Sequence, residues 1–277
     1  MDSLENGLIE TDLNPPLSNV RDGRVQRIEV LGINVHLVQP EEARDVVLSW
    51  FDGPRRFRYV SSTNINNLIN AIESPLFFDV TNTAELSLPD GMPLVWYGRY
   101  LGYRMPKKCG IEEFMDEIFA LSNQGHDFKH YFYGNTQEVL DDLKSELLKK
   151  YPKLNIVGMH SPPFRPLSDD EQKQDIDRIN DAGADFLWVS LGCPKQEIWL
   201  YENRHKLNAV AGGGAGAVFN FMAKHTVSAP TFVKYAGLEW LLRLLCNPKR
   251  LARRYLIKYP KFFMIFFKSR PWQRRSA

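Results

Sequence analysis

Short apolar runs alternating with helical patterns restrict the fold of this chain more than any other feature. The apolar runs are Val30–Val38, Phe57–Ser61, His130–Tyr133, Asn155–Met159, Phe186–Ser190 and Ala209–Ala211. Between them lie helical stretches such as Glu41–Phe51, Asn64–Glu73, Thr136–Tyr151, Asp169–Ala182 and Lys195–Lys206. Apolar strands separated by helices are βα units, and such units build a parallel sheet buried on both sides. The expected fold class is therefore α/β, a Rossmann-like parallel sheet covered by helices on both faces. The pattern changes at Pro230. Gly237–Tyr259 reads as amphipathic helix broken at Asn247-Pro248, because proline lacks a donor and disfavours helix in the residue before it. Pro260 and the cluster Phe262, Phe263, Phe266 and Phe267 follow. Three parts are expected: a flexible polar arm over 1–24, an α/β core over 25–228, and a basic helical appendage over 229–277.

Charge separates the same parts. The last acidic residue is Glu239, and the 38 residues after it carry eleven Lys and Arg. The body has 24 basic against 33 acidic residues, a net −9, so the total of +2 conceals a cationic, aromatic tail. Such asymmetry points to a polyanionic partner. Nucleic acid is not expected, since no recognisable binding fold accompanies the charge. No window approaches the roughly 18 apolar residues of a spanning helix. Met1-Asp2-Ser3-Leu4-Glu5 has neither a basic start nor an apolar stretch, so no secretory signal is expected. Cys109, Cys193 and Cys246 show no metal spacing or disulfide framework, which suits reduced thiols in the cytoplasm. No pair of the six histidines has metal-ligand spacing, so no bound metal is expected.

Ligands of open parallel sheets sit beyond the carboxyl ends of the strands, and five loops fall there. Ser61-Ser62-Thr63-Asn64-Ile65-Asn66 offers hydroxyls and amides that serve equally as helix caps or ligands. Leu88-Pro89-Asp90-Gly91-Met92-Pro93 carries a lone carboxylate, which reads as a turn or as a general base. Tyr133-Gly134-Asn135-Thr136 is a strand–glycine–helix junction able to hold a phosphate or ribose. Gly192-Cys193-Pro194-Lys195-Gln196-Glu197 is similar and denser. Ala211-Gly212-Gly213-Gly214-Ala215-Gly216-Ala217 satisfies a G-x-G-x-x-A dinucleotide pattern. It lacks the following strand with an acidic end, so an NAD-dependent oxidoreductase is a minor alternative. Asp175-x-Asp177 is expected on a solvated helix face.

In order, these loops resemble the bacterial WecG/TagA/CpsF glycosyltransferase family. The motifs are Thr63-Asn64, Leu88-Pro89-Asp90-Gly91-Met92-Pro93-Leu94-Val95-Trp96, Gly192-x-Pro194-Lys195-Gln196-Glu197, the Gly212–Phe221 glycine loop, Ala229-Pro230 and Gly237-Leu238-Glu239-Trp240-Leu241-Leu242-Arg243-Leu244. The resemblance implies an inverting, metal-independent enzyme with no cofactor. Such an enzyme moves N-acetylmannosamine, its uronic acid or glucose from a UDP-sugar to a polyprenyl-diphosphate-linked sugar. It implies a peripheral location on the anionic surface of the inner membrane's cytoplasmic face; self-association is compatible with the sequence. Asp90 matches the family's base, Thr63 its active-site threonine, and Arg243, Arg250 and Arg253 its diphosphate contacts. Asn64, Asn66, Gly91, Gly134, Asn135, Gly192, Pro194, Lys195, Gln196, Glu197, Gly213 and Gly214 are the expected substrate-binding residues. Where many members have arginine–x–x–Gly–x–Asp, this chain has Arg104-Met105-Pro106-Lys107-Lys108-Cys109-Gly110-Ile111-Glu112. A non-catalytic peripheral membrane module is the rival reading of the cationic tail.

Overall fold

The computed structural model describes residues 20–21, 24–105, 107–226, 241, 244 and 252–269. Six strands form one parallel sheet: β5 (Arg58–Thr63), β6 (Leu86–Pro89), β7 (Lys129–Gly134), β8 (Asn155–His160), β9 (Phe186–Ser190) and β10 (Ala211–Gly214). Their spatial order is β6-β5-β10-β9-β7-β8, with every neighbouring pair parallel. From β5 the chain moves outward to β6, whereas β10 returns to lie on the opposite side of β5. The strand order therefore reverses between β5 and β10, the kind of point where such sheets open a crevice at their carboxyl ends.

Alternation along the strands divides the core. Phe186 and Trp188 of β9 face one side, while Leu187 and Val189 face the other. The first side is covered by α1 (Pro40–Leu48), α5 (Ile111–Gln124), α6 (Gln137–Lys150) and α9 (Val218–Met222). The second is covered by α7 (Asp169–Asp181) and α8 (Lys195–Asn203). A third apolar cluster joins α2 (Ile65–Glu73), α3 (Pro75–Thr83) and α4 (Met92–Tyr100) to a separate hairpin, β3 (Arg27–Val30) and β4 (Ile33–His36). β10 is Ala-Gly-Gly-Gly and fully buried. A methyl on Gly212 would lie 2.7 Å from the Phe57 ring, and one on Gly213 2.8 Å from Ile111 Cδ1.

Three expectations are corrected. Val30–Val38 is not one strand. Leu31 and Gly32 take φ of 54° and 85°, a two-residue turn with positive φ at both positions, which folds the segment into the β3–β4 hairpin. Pro260 does not end the helical tail. It lies in the first turn of α10 (Tyr259–Lys268), and α10 continues a π turn over Arg253–Lys258, so the irregular turn sits just ahead of the residue that lacks an N–H. Asp175 is not solvated. It is buried, accepts a hydrogen bond from the Tyr133 hydroxyl at 2.8 Å, and lies 3.0 Å from His160 Nε2 and 3.1 Å from the Arg178 guanidinium. Helical periodicity places 175 beside the buried Ile176 and Ile179, so β7 and β8 supply its partners.

The arm expected over 1–24 and the break at Asn247-Pro248 lie almost wholly outside the described residues. At the arm's end, β1 (Val20–Arg21) pairs antiparallel with β2 (Arg24–Val25).

Candidate active site

The carboxyl ends of β5, β6, β9 and β10 surround a cleft of about 600 Å³ at the reversal point. Asp90 lies on its wall. β6 ends at Pro89, and the Asp90 N–H donates to the Thr63 carbonyl at 2.9 Å, so the backbone of β5 fixes where the carboxylate emerges. Gly91 follows with φ 110°, a conformation that L side chains rarely adopt, and turns the chain directly into α4.

Two donors hold one carboxylate oxygen. Ser62 Oγ donates to Asp90 Oδ2 at 3.1 Å and Asn64 Nδ2 donates at 3.2 Å. Asn64 is also the N-cap of α2, its Oδ1 accepting from the Asn66 and Asn67 N–H groups. The other oxygen, Oδ1, has Lys108 Nζ 3.8 Å away, and Lys108 in turn sits 3.1 Å from Glu113 Oε1. Burial pushes the Glu113 carboxyl above its ordinary range; Lys108 opposes that shift and Asp90 adds to it. Gly110 closes the group, because a Cβ there would fall 2.8 Å from Asp90 Oδ1 and 2.9 Å from Glu113 Oε2.

The β9 and β10 loops form the facing wall. Buried Gln196 accepts from the Gly192 N–H at 3.2 Å and donates to Glu197 Oε1 at 3.0 Å. A Cβ on Gly214 would meet Gln196 Nε2 at 2.5 Å, so this glycine exists to admit the amide. Burial raises the Glu197 carboxyl, partly offset by Gln196. Cys193 ties this loop to α2: its thiol donates to Asn67 Oδ1, and Asn70 Nδ2 donates to its sulfur, both at 3.5 Å. The mouth is apolar. Met92, Pro93 and Trp96 of α4 face Tyr259, Pro260 and Phe263 of α10.

Of the residues expected from sequence, Asn64, Asn66, Asp90, Gly91, Gly192, Gln196, Glu197 and Gly214 line this cleft together. Thr63 does not. It is fully buried, its hydroxyl 2.6 Å from Ser87 Oγ, and it reaches Asp90 only through its carbonyl. Gly134 and Asn135 follow β7, two strands from β10, and pack on Ser190 rather than in the cleft. Pro194 and Lys195 are exposed outside it, Lys195 with its ammonium 5.8 Å from the Phe164 ring. Gly213 packs under Ile111. The dinucleotide reading of Gly212–Ala217 loses its basis, since Phe57, Ile111 and Gln196 fill the space its glycines provide. Arg243 and Arg250 lie outside the described residues, and Arg253 opens the π turn. Sequence reasoning names the loop of Ser62 without singling that residue out, and misses Lys108, Gly110 and Glu113. The only signal for the last three was the departure from the family pattern near Gly110.

The profile of the Glycosyl transferase WecG/TagA/CpsF family matches residues 28–276. The chain is 26% identical over 209 residues to an N-acetylglucosaminyldiphosphoundecaprenol N-acetyl-beta-D-mannosaminyltransferase of Bacillus subtilis (strain 168), covering 76% of this chain and 78% of the relative. A protein of the same description from Bacillus spizizenii (strain ATCC 23059 / NRRL B-14472 / W23) is 24% identical over 204 residues, 74% and 76% of the two chains. A parallel sheet with an aspartate in the crevice at its reversal point, joined to a family match over nearly the whole length, leads to one assignment: the chain belongs to the WecG/TagA/CpsF family of glycosyltransferases.

Proposed function

We propose that the chain transfers N-acetylmannosamine from its UDP derivative to a polyprenyl-diphosphate-linked sugar, with inversion, at a membrane surface. The observation that carries this reading is the oriented Asp90 carboxylate at the sheet's reversal point. The acceptor hydroxyl gives its proton to Asp90, its oxygen bonds to the anomeric carbon, and the carbon–phosphate oxygen bond breaks with its electron pair passing to UDP. A beta linkage made from an α-linked nucleotide sugar requires inversion, the outcome of one direct displacement. The relatives' printed names support the donor sugar, the beta linkage and the acceptor class.

Charge growing on the leaving diphosphate needs donors in place before reaction. Arg243, Arg250 and Arg253 supply guanidinium groups, whose planar fork suits phosphate oxygens. On this reading neither a metal nor a resident cofactor is required, so turnover persists in chelator. The two walls suit an amphiphile: amides and carboxylates surround Asp90, whereas Trp96 and Phe263 line the mouth and remain partly exposed. Lys and Arg beside an anionic leaflet contribute about 1 kcal/mol each, which favours peripheral attachment to the inner membrane's cytoplasmic face through the cationic tail.

The test is UDP release from a panel of UDP-sugars, with and without a short-chain prenyl-diphosphate-linked N-acetylglucosamine. Acceptor-dependent release from UDP-N-acetylmannosamine is expected, and Asp90→Asn lowers kcat by about 100-fold or more while leaving vesicle binding unchanged. Intact turnover in that variant sinks the base assignment. Vesicle binding without release from any donor favours a membrane module.

A further inference from the structure

We propose that Lys108 and Glu113 are positioning residues that set the proton affinity of Asp90, two carboxylates sharing one ammonium. This rests on Asp90 as the base. Lys108 Nζ lies 3.1 Å from Glu113 Oε1 and 3.8 Å from Asp90 Oδ1. Glu113 Oε2 accepts the Gly110 N–H at 3.0 Å, which pins the second carboxylate at the N-terminus of α5. Gly110 lets the two carboxylates and the backbone approach within a space that a methyl group would fill.

An ammonium beside a carboxylate weakens it as a base, and a second carboxylate nearby strengthens it. Paired with Lys108 alone, Asp90 would hold its charge too well to accept a proton from a sugar hydroxyl. Glu113 draws the ammonium toward itself and adds a negative charge of its own. When Asp90 takes the acceptor proton its charge disappears, and Lys108 keeps Glu113 as its partner. Lys108 is therefore not left uncompensated, while the new negative charge leaves on the diphosphate. Among the described residues, the other charges around the group include Glu112 on the same helix and the half-buried pair of Lys107 with Glu41 of α1, 2.8 Å long. The Cys109 thiol between them is pushed well up by burial and stays neutral.

The experiment is the pH dependence of kcat/KM for the full chain and three variants, each with its melting temperature. Glu113→Gln removes the carboxylate that competes for Lys108, so the acid limb moves down by about one pH unit and the rate at neutral pH falls. Lys108→Met removes the ammonium, and the limb moves up by about as much. Glu113→Asp returns the limb toward the parent position. Opposite displacements support the proposal. Acid limbs that coincide with the parent's, with Asp90→Asn inactive, overturn it and leave the base assignment standing. Turnover surviving in Asp90→Asn removes both. If either variant fails to fold, the other still decides the sign of the shift.

Discussion

Asn64 performs two tasks with one amide: its oxygen caps α2 and its nitrogen holds Asp90. The tasks are separable. Asn64→Ala loses both, costing about 1 kcal/mol of stability together with activity, whereas Asn64→Ser restores the cap but not the nitrogen donor. Thermal melts alongside UDP release are expected to show stability recovered in the serine variant and turnover still depressed. His130 is equally determined by its neighbours. The Trp188 indole N–H donates to Nδ1 at 3.3 Å, so the ring proton sits on Nε2, which faces the Ser122 hydroxyl at 2.9 Å. Complete burial lowers this histidine to about 3. Its folded value lies below the unfolded one near 6.5, so the unfolded chain binds the extra proton. Stability is full above 6.5 and falls as pH drops towards 3. Melts over that range should show a loss that His130→Gln flattens; an unchanged slope would mean that another group controls it.

At the level of elements, the sequence is most legible where burial alone decides. Phe186–Ser190 is read at its observed bounds because a strand covered on both faces is uniformly apolar. The Val30–Val38 run is equally apolar, and Leu31 hides a turn within it. Asp90 could be placed from its position after an apolar segment. Lys108 and Glu113 could not, since only the folded chain brings the N-terminus of α5 to the end of β6. The distinction between Gly214, at the cleft, and Gly213, in the packing, is one residue of strand alternation and needs the register with β5 and β9. α10 docks through buried Phe262, with Lys258 on Asn70 and Lys261 on Glu73, each at 2.6 Å. Phe262→Ala removes its main apolar anchor, a change of about 3 kcal/mol or more in a packed site. Hydrogen exchange should quicken across 259–268 while the six sheet strands keep their protection; equal loosening in both would show that α10 is integral to the core.

Across the whole molecule, an acidic body is joined to a cationic tail, and the side bearing α4 and α10 carries the apolar cleft mouth. The order of strands has a separate consequence, in time. Of the six sheet strands described, β10 is synthesised last, yet it sits between β5 and β9 and bridges β6-β5 to β9-β7-β8. Until residues 211–214 leave the ribosome, the growing chain holds two half-sheets, each with an unsatisfied edge next to the future cleft. Pairings this distant in sequence form slowly and leave such edges open to aggregation. Nascent chains arrested before residue 211 should remain protease-sensitive and bind chaperones, and those arrested well beyond 226 should become resistant. Early resistance would mean that one half-sheet is stable without its keystone. The strand that completes the crevice thus also times the birth of the fold.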